Sequence, residues 1–301
     1  MNRNLVLEFW NLQVRYLVDM YIFKNVAEIQ QYLNECRSKN AAIGFTPTMG
    51  ALHEGHLSLV RRAVTDNEIS VCSIFVNPTQ FDDKADLDRY PRTMERDLEM
   101  LKSAGNHVVF APTADEVYPK NLDTSHGVDF GAMADHMEGA HRPGHFDGMA
   151  QVVKRLVDIV ESDYIYMGQK DYQQQALVKY MFKQLNYKTQ VVTCPIVREA
   201  DGLAMSSRNR HLNTDERESA GHINKVLRRL KEVAEILPLS IARNQALEQI
   251  RHISGADSDY LEIVDAVTLE RLDNFEDAKS VVACTTVRIG KVRLLDNMIL
   301  R

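Results

Sequence analysis

The sequence predicts an α/β protein in which a doubly wound parallel sheet is followed by a smaller C-terminal α+β domain. Three observations predict it. Short apolar runs of the kind a buried parallel strand supplies, at 41–45, 69–76, 108–111 and 164–167, alternate with segments of helical spacing. Two of these runs pass through a glycine-containing turn straight into a helix, at 46–60 and again at 168–185. Beyond Pro195 the order changes: helical segments near 214–236 and 241–253 come first, then β-rich runs at 260–264, 281–286 and 292–295. A boundary near Ile196 follows, with a large domain over 20–196 and a small one over 197–301. A chain of 301 residues suffices for both.

Composition narrows the function classes. With 45% hydrophobic and 26% charged residues the chain is ordinary for a soluble globular protein. Its 36 basic and 42 acidic residues give a net charge of −6, which argues against a general nucleic-acid surface. A small anionic substrate needs only a local positive pocket. The four cysteines, Cys36, Cys72, Cys194 and Cys284, form no C-x-x-C and read as buried thiols in a reducing compartment, which points to the cytoplasm. In residues 1–19, Glu8, Asn11, Gln13, Arg15 and Asp19 interrupt the apolar positions, so neither a signal peptide nor a membrane span is expected there.

Residues 25–38 have helical spacing (Val26, Ile29, Tyr32, Leu33, Cys36) and lead into the first strand, which Pro47 is expected to end. The turn reads T-P-T-M-G-A-L-H-E-G-H-L-S-L-V over 46–60. Gly50 and Gly55 leave the backbone room for a ligand to approach closely. His53 and His56 stand three apart, so a helix starting near Glu54 or Gly55 projects both rings from its first turn into one space. Such a start gathers free N–H donors and partial positive charge, which suits a phosphate. It also pushes an imidazole toward neutral, which leaves the protonation state of the pair open. A Walker A loop is excluded, because His56 and Leu57 stand where Lys and Ser or Thr are needed. A zincin needs its histidines four apart, so no protein-held metal is expected.

The strand at 69–76 ends in N-P-T-Q-F, leaving Asn77 and Gln80 at the edge where open α/β sheets bind ligands; a plain turn is the alternative. An acidic loop at 82–88, a helix over 92–104 stopped by Gly105 and a strand at 108–111 follow. At 138–148 the string E-G-A-H-R-P-G-H-F-D-G holds Arg142 and His145 between a proline and three glycines and reads as a ligand loop before a helix at 149–160. After the strand at 164–167, G-Q-K-D-Y-Q-Q repeats the strand, turn, helix arrangement and can face the same crevice. Lys170 in it is a compact cation, and a charged hydrogen bond to phosphate there is worth about 1.5–3 kcal/mol. A last strand at 189–194 precedes V-R-E-A-D-G-L-A-M-S-S-R-N, in which Ser206, Ser207 and Arg208 are consecutive donors able to wrap a triphosphate. No other motif in the C-terminal part carries identifiable chemistry.

H-x-G-H in this setting resembles the nucleotide-binding signature of the nucleotidyltransferase superfamily, which includes class I aminoacyl-tRNA synthetases. P-T-M-G-A-L-H-E-G-H-L, V-N-P-T-Q-F, R-P-G-H-F, G-x-K-D-Y-Q-Q and D-G-L-A-M-S-S-R-N, in that order, are similar to the pantoate–β-alanine ligase family. The similarity starts at about Met20, so residues 1–19 read as an extension or the product of an early assigned start codon. The resemblance implies a Rossmann-like nucleotide- and pantoate-binding domain with a C-terminal lid. It implies ATP-dependent condensation of pantoate with β-alanine through a pantoyl adenylate, releasing AMP and pyrophosphate. It assigns ATP to Met49, Gly50, Ala51, Leu52, His53, Glu54, Gly55 and His56, to Gly168, Gln169, Lys170 and Asp171, and to Val197, Met205, Ser206, Ser207 and Arg208. His53, His56 and Lys170 are then catalytic, Gln80 and Gln174 hold pantoate, and Asn77, Arg142 and His145 lie close by. Mg2+ accompanies ATP, and the enzyme is a homodimer. Gln169 departs from the family, which commonly has glutamate there, so no role needing a carboxylate carries over. Two other classes share parts of this pattern: a tRNA-charging enzyme, for which an acidic chain of this length leaves little room, and a non-catalytic nucleotide-binding protein.

Overall fold

The chain winds outward twice from the strand Ile43–Thr48. The computed structural model describes residues 20–80, 87–88 and 90–301; the extension expected at 1–19 and most of the loop expected at 82–88 lie outside the described residues. The larger sheet contains β1 (Tyr21–Phe23), β2 (Ile43–Thr48), β3 (Ile69–Ile74), β4 (Val108–Phe110), β5 (Tyr164–Gly168) and β6 (Gln190–Cys194). They are all parallel, in the order β1-β4-β3-β2-β5-β6. The winding therefore reverses between β2 and β5.

Connecting helices are α1 (Val26–Ser38), α2 (Glu54–Asp66), α3 (Met94–Ser103), α4 (His145–Val160) and α5 (Tyr172–Gln184). Successive strand residues point to opposite faces, so the sheet buries both sides. Phe45, Val71, Val108 and Ile165 pack on α1, α4 and α5. Cys72, Ile74 and Val109 pack on α2 and α3, and Tyr166 meets Leu59 and Ala63 of α2. Each such buried apolar side chain contributes about 1.5–3 kcal/mol.

Several boundaries differ from expectation: the helix expected at 149–160 already begins at His145, the last strands run longer than expected, and two further differences have a physical reason. Pro47 lies inside β2, paired in register with Ser73. The Thr48 carbonyl accepts from the Phe75 amide (3.0 Å), so Pro47, one residue earlier, faces the β5 side, where pairing ends at Phe45. No ladder hydrogen bond is lost there. The helix expected over 214–236 is two, α6 (Thr214–Ala220) and α7 (His222–Ala234), with Gly221 at the junction. A Cβ on Gly221 would lie 2.5 Å from the Asp201 carboxylate, which pairs with Arg217.

After α8 (Leu239–Arg251), β7 (Ala256–Asp265), β8 (Val281–Ile289) and β9 (Val292–Ile299) form an antiparallel sheet. Leu227 and Leu230 of α7 and Ala246 and Ile250 of α8 fill its inner face with Leu261, Ala283 and Leu294. The two sheets meet where Met137, Tyr172 and Ala176 pack against Val264, Val282 and Cys284. Glu138, 5% exposed, is part of this seam: it accepts from Arg293 at 2.9 and 3.2 Å and from the Thr286 hydroxyl at 2.8 Å. Cys72, Cys194 and Cys284 are buried thiols and Cys36 is half-buried. Among the described residues no helix is long and apolar enough to cross a membrane.

Candidate active site

β2 delivers the chain to α2 with His53 as the N-cap residue, its backbone extended (φ −143°, ψ 173°). His53 Nδ1 accepts from the Gly55 amide at 3.1 Å, and His56 Nδ1 accepts in return from the His53 amide at 3.4 Å. Main-chain amides only donate, so each neutral ring carries its proton on Nε2. The ring centroids are 4.0 Å apart. Burial pushes His53 down to about 4, with Lys170 adding to the effect, and burial takes His56 to about 3, with His53 adding to it. Near neutral pH the pair is two uncharged N–H donors at the positive end of a helix. A Cβ on Gly55 would stand 2.8 Å from Cε1 of His53, so any larger residue would displace the ring.

The preceding turn is held from behind. Asp97 of α3 accepts from the amides of Ala51 and Leu52 at 2.9 Å each and from the Thr93 hydroxyl at 3.2 Å. Those two amides, expected to cradle a nucleotide, are directed at Asp97, and the Leu52 side chain enters the apolar core. Gly50, Glu54 and Gln169 also stand off the cavity lining; Glu54 pairs with Arg61 at 2.8 Å.

A cavity of about 260 Å³ opens past the C-terminal ends of β2 and β5, where the winding reverses. Its wall brings together Met49, His53, Gly55 and His56; Asn77 and Gln80; Arg142 and His145; Gly168, Lys170, Asp171 and Gln174; and Val197, Met205, Ser206, Ser207 and Arg208.

The turn bearing Gln80 is fixed by its neighbours. Asn77 donates to the Gly148 carbonyl (3.1 Å) and accepts from the Tyr118 hydroxyl (3.2 Å). Arg142 donates to His145 Nε2 (3.0 Å), which leaves the His145 Nδ1–H to donate to the Gln80 carbonyl (3.2 Å). The Gln80 side-chain amide rests on the Met49 sulfur at 2.9 Å, a weak acceptor.

Lys170 pairs with Asp171 at 3.3 Å. Burial of Asp171 favours its neutral form, but Lys170 together with Arg208 and His56 outweighs this and holds the carboxyl below its usual range. Asp171 is the one carboxylate among the described lining residues, against Lys170, Arg142 and Arg208, so an acidic chain carries a positive cavity. Among the described residues no cluster of three His, Cys, Asp or Glu could hold a metal ion. The third arm is a hairpin: Met205 donates to the Val197 carbonyl (3.0 Å) and Glu199 to the Leu203 carbonyl (2.8 Å). Ser206 then caps the short helical turn Ser207–His211 by accepting from the Arg208 amide at 3.3 Å.

Three residues that touch these segments are marked by no motif: Asp97, Asp296 and Asn297. The last two had a signal, since D-N is the only polar pair in L-L-D-N-M-I-L at 294–300. Both are buried in β9. Burial raises the Asp296 carboxyl, against the opposing pull of Arg198.

A family model described as pantoate-beta-alanine ligase matches residues 21–299. A pantothenate synthetase of Porphyromonas gingivalis is 44% identical over 279 residues, 93% of this chain and 99% of the relative. The crystal structure of pantothenate synthetase from Thermus thermophilus superposes with a TM-score of 0.87 at 39% identity, covering 93% of this chain and 99% of that one. That of pantoate-beta-alanine ligase from Francisella tularensis, complexed with beta-gamma ATP and beta-alanine, gives 0.76 at 35% identity, covering 94% and 98%. The chain belongs to the pantoate–β-alanine ligase family.

Proposed function

We propose that this chain condenses pantoate with β-alanine at the expense of ATP, through a pantoyl adenylate, releasing AMP and pyrophosphate. The observation that carries the proposal is one cavity lined both by the two histidines, Lys170 and the 205–208 arm and by Gln80 and Gln174. The first group suits a triphosphate and the second the hydroxyl and carboxylate oxygens of a hydroxy acid. A family member solved with beta-gamma ATP and beta-alanine supports the substrate class.

The pantoate carboxylate attacks the α-phosphorus and pyrophosphate departs in line. Positioning and charge neutralisation dominate such a step. His53 and His56 donate Nε2–H to phosphate oxygens; before nucleotide binds, burial holds both rings in their neutral form. Lys170 and Arg208 neutralise charge on the leaving pyrophosphate, and the Ser206 and Ser207 hydroxyls donate hydrogen bonds to it. Gln80 and Gln174 orient pantoate, and Asn77, Arg142 and His145 hold the Gln80 turn. Met49, Gly55, Gly168, Asp171, Val197 and Met205 complete the nucleotide wall. The β-alanine amine then attacks the acyl carbon and AMP leaves.

Mg2+ would ride on the phosphates, since a single lining carboxylate paired with Lys170 makes no cage. The family resemblance further supports a homodimer, a cytoplasmic enzyme, a division at about Ile196 between a catalytic domain over 20–196 and a lid over 197–301, and a separate extension at 1–19.

The test is pyrophosphate release with ATP alone, with ATP and pantoate, and after β-alanine is added. Release that requires pantoate, followed by AMP and pantothenate on adding β-alanine, is expected. ATP binding without pyrophosphate release, or AMP formation driven by tRNA, would refute the proposal.

A further inference from the structure

β9 sets two adjacent buried polar side chains against two different arms of the cavity. Asn297, 1% exposed, donates from Nδ2 to the main-chain carbonyls of Gln169 and Lys170 at 2.9 Å each. Its Oδ1 accepts from Gln169 Nε2 at 3.0 Å. Asp296, 4% exposed, receives the Arg198 guanidinium on both oxygens, at 2.7 and 2.8 Å. Arg198 also donates to the Gly202 carbonyl at 3.0 Å, inside the hairpin that leads to Met205–Arg208. The Asn297 amide donates to Asp296 Oδ1 at 2.7 Å, which ties the two anchors together.

The chemistry at 297 is specific. Two neighbouring carbonyls need two N–H groups from one point, and the Gln169 amide needs an acceptor beside them; a carboxamide offers both. Lysine is a point charge on a flexible stem, so where its ammonium can reach depends on the main chain that carries it. Asn297 grips that main chain.

We propose that Asn297 is a positioning residue for Lys170, and that Asp296 registers the 198–208 arm to the same point on β9, so that the small sheet sets the spacing of the two phosphate-binding arms. The proposal rests on the role given to Lys170 above. A displacement of about 1 Å in a positioned catalytic group costs on the order of 10²-fold in rate. Bonds that merely joined the two sheets would lower stability without singling out Lys170.

A double-mutant cycle separates the two roles. Asn297→Asp keeps shape and acceptor but turns an oxygen toward two carbonyls; Asn297→Ala removes the group. Each is combined with Lys170→Ala, and pantoate-dependent pyrophosphate release is measured alongside urea unfolding. Either Asn297 substitution is expected to lower kcat on the order of 10²-fold in the parental chain and by no more than about 3-fold in the Lys170→Ala background. Losses that multiply in full, parental activity in Asn297→Asp, or failure of both single variants to fold would overturn the proposal. Near-parental activity of Lys170→Ala alone would instead remove Lys170 from the mechanism.

Discussion

The carboxylate of Asp97 accepts the amide hydrogen of Ala51 at 2.9 Å, and Ala51 sits in the left-handed region at φ +50°. A non-glycine residue persists there only when its surroundings hold it. Asp97→Ala leaves two buried amides without a partner and should lower stability by about 3 kcal/mol. The KM for ATP should rise as the turn before His53 relaxes. Urea unfolding and steady-state kinetics check the two effects separately; unchanged values in both would mean the turn holds itself.

Removing a charge-stabilising donor should slow adenylation far more than it disturbs the fold. His56→Ala and Lys170→Ala are each expected to lower pyrophosphate release on the order of 10²–10³-fold, with a parental far-UV spectrum. Near-parental release from both would exclude these side chains from the step.

The two histidines also predict a pH dependence of stability. Their folded values, about 4 and about 3, lie below the ordinary 6.5, so folding favours the neutral rings. The stabilisation is complete above pH 6.5 and is lost as pH falls through the folded values. The urea midpoint of the parental chain should therefore fall more steeply below pH 6.5 than that of the variant carrying both His53→Gln and His56→Gln. Parallel curves would refute the linkage. Imidazole NMR without nucleotide should show no protonation of either ring above about pH 5.

Gly148 of α4 packs directly against the turn that bears Gln80. A Cβ there would lie 2.4 Å from the Thr79 carbonyl oxygen and 3.0 Å from Cα of Gln80. Gly148→Ala should push the turn bearing Gln80 and raise the KM for pantoate, leaving that for ATP nearly unchanged. Equal changes in both would show that the turn serves no particular substrate.

Most strands and helices were legible because buried parallel strands need continuous apolar runs, and the start of α2 was legible from the glycine-containing turn between an apolar run and a helical segment; the reciprocal cap made by His53 and His56 was not. What was not legible depends on contacts distant in sequence. Asp97 reaches Leu52 from 45 positions away, and nothing near either residue announces the bond. Asp201 crowds Gly221 where the expected helix divides, a contact no local signal announces, and β1 is three residues long, too short to show a period. The cavity segments carried recognisable residue types, but Asn297 could not be linked to Lys170 before the two sheets were seen to touch.

Because Asp97 absorbs the amides of Ala51 and Leu52, the anion site proposed for this crevice would be assembled from side chains more than from a glycine-rich nest of main-chain donors. A nest changes only when the loop is rebuilt. Here single codons can alter charge, reach or acidity one contact at a time, so preference among triphosphates is open to stepwise redesign.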